Sequence, residues 1–274
     1  MTGEILFSGR FPTAAAAGLP DTARTGKKMA GAGPESGWAD NEPDDRLSGL
    51  LAVMQDVLRS CGSELEECTA AVMTSVVPKA AARIKKALEE KAGIPVMQVD
   101  YRTDTGMSFH VDRPETVGND LIVGTAAASE LYGAPAIVID MGTATTFAVV
   151  DEDLTYQGHV ILPGARISLD ALTGRTAQLP EIELQMPPSV LGKNTADAME
   201  SGILYGNAAM IDGMLDRLQE ELDETQSSGF RVVATGGLSG KVVPLCRHEI
   251  LLDKDLLLKG LYCIYKRNCC KLAG

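Results

Sequence analysis

A carboxylate, a flexible turn and three hydroxyls stand together where an apolar run ends. Asp140, Gly142, Thr143, Thr145 and Thr146 fall in the stretch DMGTATT, directly after Ala136 to Ile139. The β-branched Ile137, Val138 and Ile139 read as a central strand covered on both faces. Gly142 allows a tight turn and close approach of backbone to a ligand. The threonines supply hydroxyl and amide donors suited to phosphoryl oxygens. Asp140 is placed to hold the cation that accompanies a nucleotide. An ordinary hairpin, with threonine present only for its strand preference, is the plain alternative.

Other elements must position this loop. A second apolar strand, Phe147 to Val150, comes at once, and DEDL at 151–154 turns into a third from Tyr156 to Leu162. Strand, turn, strand, turn, strand is how an actin-like nucleotide-binding domain opens. Downstream, the run Phe230 to Ala234 ends in Thr235-Gly236-Gly237, a turn that again permits close backbone approach. These two strand ends fit the two lips of a nucleotide cleft, although the second alone also fits a plain strand-to-helix turn. Between them a helix is expected from Thr195, read as its N-cap, to Leu222. Met199, Ile203, Gly206, Met210, Met214, Leu218 and Leu222 form a core stripe along it.

The first half reads as a βαβ alternation. Glu4 to Ser8 is a short strand, and residues 13–46 are a loop or disordered excursion without apolar periodicity. Leu47, Leu50, Leu51, Met54, Leu58 and Cys61 make one helical face. Next come strand Ala70 to Val77, a helix through Ala81, Ile84 and Leu88, and strand Ile94 to Val99, with a further helix over about Gly118 to Leu131. The chain is therefore divided into 1–133 and 134–274, the last helix (255–268) packing across both.

Composition bounds the function. A 274-residue chain with 45% apolar residues can bury one large core or two moderate ones. A net charge of -12, with basic residues scattered, argues against a nucleic-acid partner. Six cysteines without metal-ligand or secretory spacing read as reduced thiols of a cytoplasmic protein. No apolar run is long enough for a membrane span and no signal leader is seen.

DMGTATT, LPGARISLDAL at 162–172, TAQLPEIEL at 176–184, PPSVLGKNTADAMESGILYG at 187–206, ATGGL at 234–238 and LLLKGLYCIYKRN at 256–268 together resemble the type III pantothenate kinases. TSVVP at 74–78 and VGNDLIVGTAAASELYG at 117–133 extend the likeness over most of residues 70–268. The resemblance implies an α/β fold of two actin-like (RNase H-like) domains and a homodimer. It also implies transfer of the ATP γ-phosphate to pantothenate, giving 4'-phosphopantothenate in coenzyme A biosynthesis, with Mg²⁺ and a monovalent cation, K⁺ or NH₄⁺.

By the same resemblance, Asp120 in VGND matches the aspartate of the family's G-x-D-R motif, the general base toward the pantothenate hydroxyl. Gly118, Asn119, Asp120, Leu121 and Thr195 stand at acceptor-binding positions, Gly142, Thr143, Thr145, Gly236 and Gly237 at nucleotide-binding positions, and Asp140 at the metal. The chain departs from the pattern in several places. Leu121 replaces the motif's arginine, Val111 a family tyrosine, and Ala148 a frequent aspartate. Met1-Thr2-Gly3-Glu4 resembles the residues just after the family's opening D-x-G-N-T strand, so the natural polypeptide is expected to begin upstream. Loss of a charged donor worth roughly 1.5–3 kcal/mol would weaken pantothenate binding by one to two orders of magnitude. A pantothenate kinase is the reading; a nucleotide-binding regulatory paralogue, or a kinase with a shifted acceptor, is the alternative, and turnover separates them.

Overall fold

The structure, a computed structural model, describes residues 45–60, 62–176, 179–222 and 229–269. The expected strand Glu4 to Ser8, the excursion up to residue 44 and Cys61 lie outside these residues. By packing, the described residues form two compact units, one of those within 45–103, 118–120 and 264–269, the other of those within 104–117 and 121–263.

In the first unit, α1 (Asp45–Ser60) precedes β1 (Ala71–Met73), α2 (Pro78–Lys91) and β2 (Val96–Gln98), and the two strands pair in parallel. This is the expected βαβ alternation, with helix α1 starting at the last two residues of the expected excursion. Strand β1 is shorter than the run Ala70 to Val77. The Ser75 hydroxyl donates to the Val77 carbonyl at 3.2 Å and accepts from its amide at 3.0 Å, which turns the chain. Pro78 then occupies the first helical turn, where its missing N–H is harmless. Leu58, Leu65, Leu88, Ile94 and Val96 form the core, with Leu51, Met54 and Ile84 packed against it.

The second unit holds β3 (Ser108–Phe109), α3 (Asn119–Tyr132, from Leu121 onward), β4 (Ala136–Met141), β5 (Ala144–Val150), β6 (Thr155–Pro163), α4 (Ala165–Arg175), α5 (Thr195–Leu222), β7 (Arg231–Thr235), α6 (Ser239–Val242), β8 (Leu251–Leu252) and the first half of α7 (Leu256–Cys269). Its sheet runs β3-β6-β5-β4-β7-β8. Strands β4, β5 and β6 form an antiparallel meander, and β7 and β8 add in parallel beside β4. The meander is the strand, turn, strand, turn, strand succession expected from the sequence. The sequence reading put α3 upstream of its division at 133/134; by packing, α3 from Leu121 onward groups with the sheet after it, and α7 is shared between the units.

The strands alternate between two faces. Ile137, Ile139, Met141, Phe147, Val149, Val232 and Ala234 join Leu169, Met199, Ile203, Leu204, Ile211 and Leu215 in one core. Met210, Met214, Leu218 and Leu222 pack against it, so the stripe on α5 is core as expected. Helix α3 covers the opposite face. A Cβ built on Gly124 would stand 3.7 Å from Val138 Cγ1, and Leu121 to Ala128 are all buried. Helix α7 crosses α3 so closely that a Cβ on Gly260 would lie 2.5 Å from the Val123 carbonyl oxygen and 2.9 Å from Ala127 Cβ.

Candidate nucleotide and acceptor sites

Strand β4 carries its β-branched run to Met141 and reverses through Gly142 and Thr143 into β5, which begins at Ala144. The turn is therefore two residues long, tighter than a loop reaching Phe147. Thr145 and Thr146 are strand residues, and pleating sends them to opposite faces. Thr145 pairs with Met141 and is buried on the core side. Thr146 pairs with Asp140 on the other side. Thr143 is exposed at the hairpin tip.

Strand β7 runs parallel to β4 and brings Thr235 beside Asp140. The row Thr146, Asp140, Thr235 thus crosses three strands at one end of the sheet and on one face. Cross-strand neighbours of this kind hold their Cβ atoms roughly 4.5–5.5 Å apart. Immediately after Thr235, Gly236 has φ 98°, a conformation that favours glycine. A Cβ there would meet the Met141 carbonyl oxygen at 2.5 Å and Asp140 Oδ1 at 2.7 Å, so no other residue fits unshifted. The buried Ser239 hydroxyl donates to the Gly236 carbonyl at 2.6 Å and pins the turn. Gly237 is exposed, with open space where a side chain would be.

Gly164, the residue before α4, presses on the hairpin tip. A Cβ there would come within 2.3 Å of the Thr143 carbonyl oxygen and 2.7 Å of that of Gly142. The tip carbonyls consequently face the amino end of α4, whose partial positive charge suits them. By contrast, a Cβ on Gly142 would sit 3.7 Å from its nearest neighbours, Asp140 Oδ1 and the Ala144 carbonyl oxygen. The fold needs glycine at 164 and 236 but not at 142.

The donor set suits Mg²⁺ borne by a triphosphate. Among the described residues no group of three or more His, Cys, Asp or Glu side chains could hold a metal unaided. Mg²⁺ prefers hard oxygens and is commonly bound through one or two carboxylates plus substrate phosphates. Asp140, flanked by two hydroxyls at a glycine-lined strand end, offers that chemistry.

The acceptor candidates occupy other places. Asp120 lies in the first turn of α3, as expected, and is partly buried. Beside it the Asn119 amide donates to the Ser75 carbonyl at 3.1 Å, tying the Gly118 to Asp120 segment to the loop after β1 within the first unit. Leu121 is 9% exposed and Val111 partly so, while Ala148 is fully buried in β5. Thr195 is not the cap of α5. Asn194 is, because its side-chain oxygen accepts the Asp197 amide at 2.9 Å and its carbonyl accepts that of Ala198 at 3.0 Å. Asn194 also donates to the Asp197 carboxylate at 2.9 Å. The exposed Thr195 hydroxyl is thereby relieved of capping. The pairing of Asn194 with Asp197 three residues on is a legible capping pattern that the choice of Thr195 passed over.

The type III pantothenate kinase family model matches residues 32–217. A type III pantothenate kinase from Rubrobacter xylanophilus is 43% identical over 209 residues, covering 76% of this chain and 79% of that protein. Among solved structures, a conserved Campylobacter jejuni protein assigned to the Baf family of transcriptional activators aligns with a TM-score of 0.51 and 17% identity. That alignment covers 75% of this chain and 86% of the other.

Proposed function

The chain belongs to the type III pantothenate kinase family, and we propose that the strand-end row of Asp140, Thr146 and Thr235 is where it receives the triphosphate of ATP. The protein is a phosphotransferase of α/β, actin-like fold that phosphorylates pantothenate with ATP in coenzyme A biosynthesis. The observation that carries the site assignment is the junction of two glycine-bearing strand ends, with Gly236 held against Asp140 by its positive φ. Gly142, Thr143, Thr145, Gly236 and Gly237 are assigned to the nucleotide. Asp140 is assigned to its Mg²⁺ and to a monovalent cation, K⁺ or NH₄⁺. A cation there would neutralise charge on the phosphoryl oxygens.

Gly118, Asn119, Asp120, Leu121 and Thr195 are assigned to pantothenate. The pantothenate hydroxyl oxygen bonds to the γ-phosphorus, the bond to the ADP oxygen breaks, and the hydroxyl proton passes to the Asp120 carboxylate. Positioning supplies most of the rate here.

Gly142→Val tests the nucleotide site. Because the nearest atoms to the added Cβ are at 3.7 Å, the variant is expected to keep the parent's melting behaviour. Its branched side chain should nevertheless occupy space at the hairpin tip and lower Mg·ATP affinity at least about tenfold by calorimetric titration, a change of roughly 1.4 kcal/mol. An unaltered binding isotherm would remove the nucleotide from this turn. The alternative of a nucleotide-binding paralogue is tested by ADP release: turnover at the no-enzyme rate, with saturating pantothenate and K⁺ or NH₄⁺, would favour it.

The reading extends to a cytoplasmic homodimer. The homodimer is supported by apolar side chains left in water on α4 and the segment before α5: Ile167, Leu172, Met186, Val190 and Leu191. Leu191, 77% exposed, is the most exposed of them. Leu191→Glu is expected to shift the protein toward monomer in light scattering at micromolar concentration, and a parent already monomeric there would count against the dimer. Among the described residues no helix is long and apolar enough to cross a membrane.

A further inference from the structure

Two hydroxyls beside Asp140 are buried without a hydrogen-bond partner among the described residues: Thr146 Oγ1 and Thr235 Oγ1. Thr235 is fully buried. Buried hydroxyls are nearly always satisfied, and one left over in a native fold marks a bound group or a functional demand. Chance placement is a weak account of this pair. Both hydroxyls sit in register with the same carboxylate, one on each neighbouring strand and on the same face. At the far side of Thr146 the row continues to Ile161 on β6, which is 63% exposed, so the row opens to solvent at that end. Gly236 closes the other side, its Cα hydrogens facing Asp140 Oδ1 where any side chain would collide.

We propose that Thr146 and Thr235 are positioning residues for nucleotide binding, their hydroxyls completing on either side of Asp140 an oxygen-lined seat for the hydrated cation that accompanies the triphosphate. This rests on the assignment of Asp140 to the nucleotide's cation. A hydroxyl suits the role because it can accept from a water on the ion or turn a lone pair to the ion itself, and it adds no charge. Valine has the same shape and removes only the oxygen. Thr146→Val and Thr235→Val should therefore leave the unliganded protein as stable as the parent, or more so, since an unsatisfied buried hydroxyl is lost and β-branching is kept.

The test combines thermal unfolding of the unliganded protein with calorimetric titration of ATP, with Mg²⁺ present and with Mg²⁺ removed by chelator, for the parent, both valine variants and Thr235→Ser. The expected result is a melting temperature unchanged or raised in the valine variants and Mg·ATP affinity reduced about tenfold in each, the scale of one hydrogen bond near charge. The loss should shrink when Mg²⁺ is chelated, and Thr235→Ser should bind like the parent. Valine variants that bind Mg·ATP like a binding-competent parent would overturn the inference and leave the kinase reading standing. So would a valine variant that loses melting temperature and affinity together with no change in Mg²⁺ dependence, because the hydroxyls would then be structural. A parent that fails to bind Mg·ATP would overturn both.

Discussion

Asp120→Asn is expected to lower turnover with pantothenate by roughly 10²–10⁴-fold, the usual effect of losing a general base, with little change in ATP affinity. The substitution keeps the shape of the side chain and removes its ability to take a proton. It should not disturb the fold, because α3 is anchored by other groups. Asn119 donates to the Ser75 carbonyl at 3.1 Å, and the helix from Leu121 to Ala128 is buried. The measurement is steady-state kinetics with ADP detection, beside ATP titration and a melting curve. A purely structural role gives a different pattern. A first-turn carboxylate that only complements the helix dipole is worth about 0.3–1 kcal/mol. Its loss would then appear as a small drop in melting temperature with kcat intact, and that pattern would remove Asp120 from the chemistry.

What the sequence disclosed was local, and what it concealed was long-range. The ends of β4 and β7 were legible because unbroken β-branched runs stop at residues with hydroxyls and glycine. The span Thr195 to Leu222 was legible because a 3.6-residue period persists for 28 residues. Strand β1 was overdrawn because Thr74 to Val77 has strand composition, yet a serine hydroxyl and Pro78 turn it. Thr145 and Thr146 looked equivalent in sequence, and only the register with Asp140 assigns them to opposite faces. The need for glycine at 164 and 260 comes from backbone that is distant in sequence, the hairpin tip in one case and α3 in the other. No periodicity carries such information. Asp253 belongs with these, since the groups it holds stand 121 residues upstream and 6 downstream.

Removing the Asp253 carboxylate is expected to be the most destabilising of the polar substitutions. Asp253 is 6% exposed and its oxygens are fully engaged. Oδ2 accepts from the Tyr132 hydroxyl and from Lys259 Nζ, each at 2.7 Å, and Oδ1 accepts the Asp255 amide at 3.0 Å at the start of α7. Its own amide donates to the Ala234 carbonyl at 2.9 Å, beside the nucleotide turn. One residue thus joins the end of α3, the start of α7 and the edge of the sheet. Breaking a buried pair costs about 3–5 kcal/mol when the remaining charge stays buried. Lys259 is 42% exposed and can regain water, so Asp253→Ala should fall near the lower end, about 3 kcal/mol, with loss of the helix cap included. Burial alone would raise the Asp253 pKa, but the hydrogen bonds from Lys259, Tyr132 and the Asp255 amide prevail and hold it below the ordinary carboxylate value. A carboxyl with a lowered folded pKa contributes its full stability above its unfolded pKa of about 3.9, and that contribution is lost as pH falls through the folded value. The stability gap between parent and Asp253→Ala, read from denaturant or thermal unfolding, should accordingly be constant from about pH 7 to 5 and narrow on further acidification. Lys259→Met is the companion variant. It leaves the carboxylate buried without its cation, so the parent's advantage over it should likewise diminish toward acid pH. A gap to Asp253→Ala that stays the same at pH 3 and pH 7 would mean that the residue acts only as an uncharged cap.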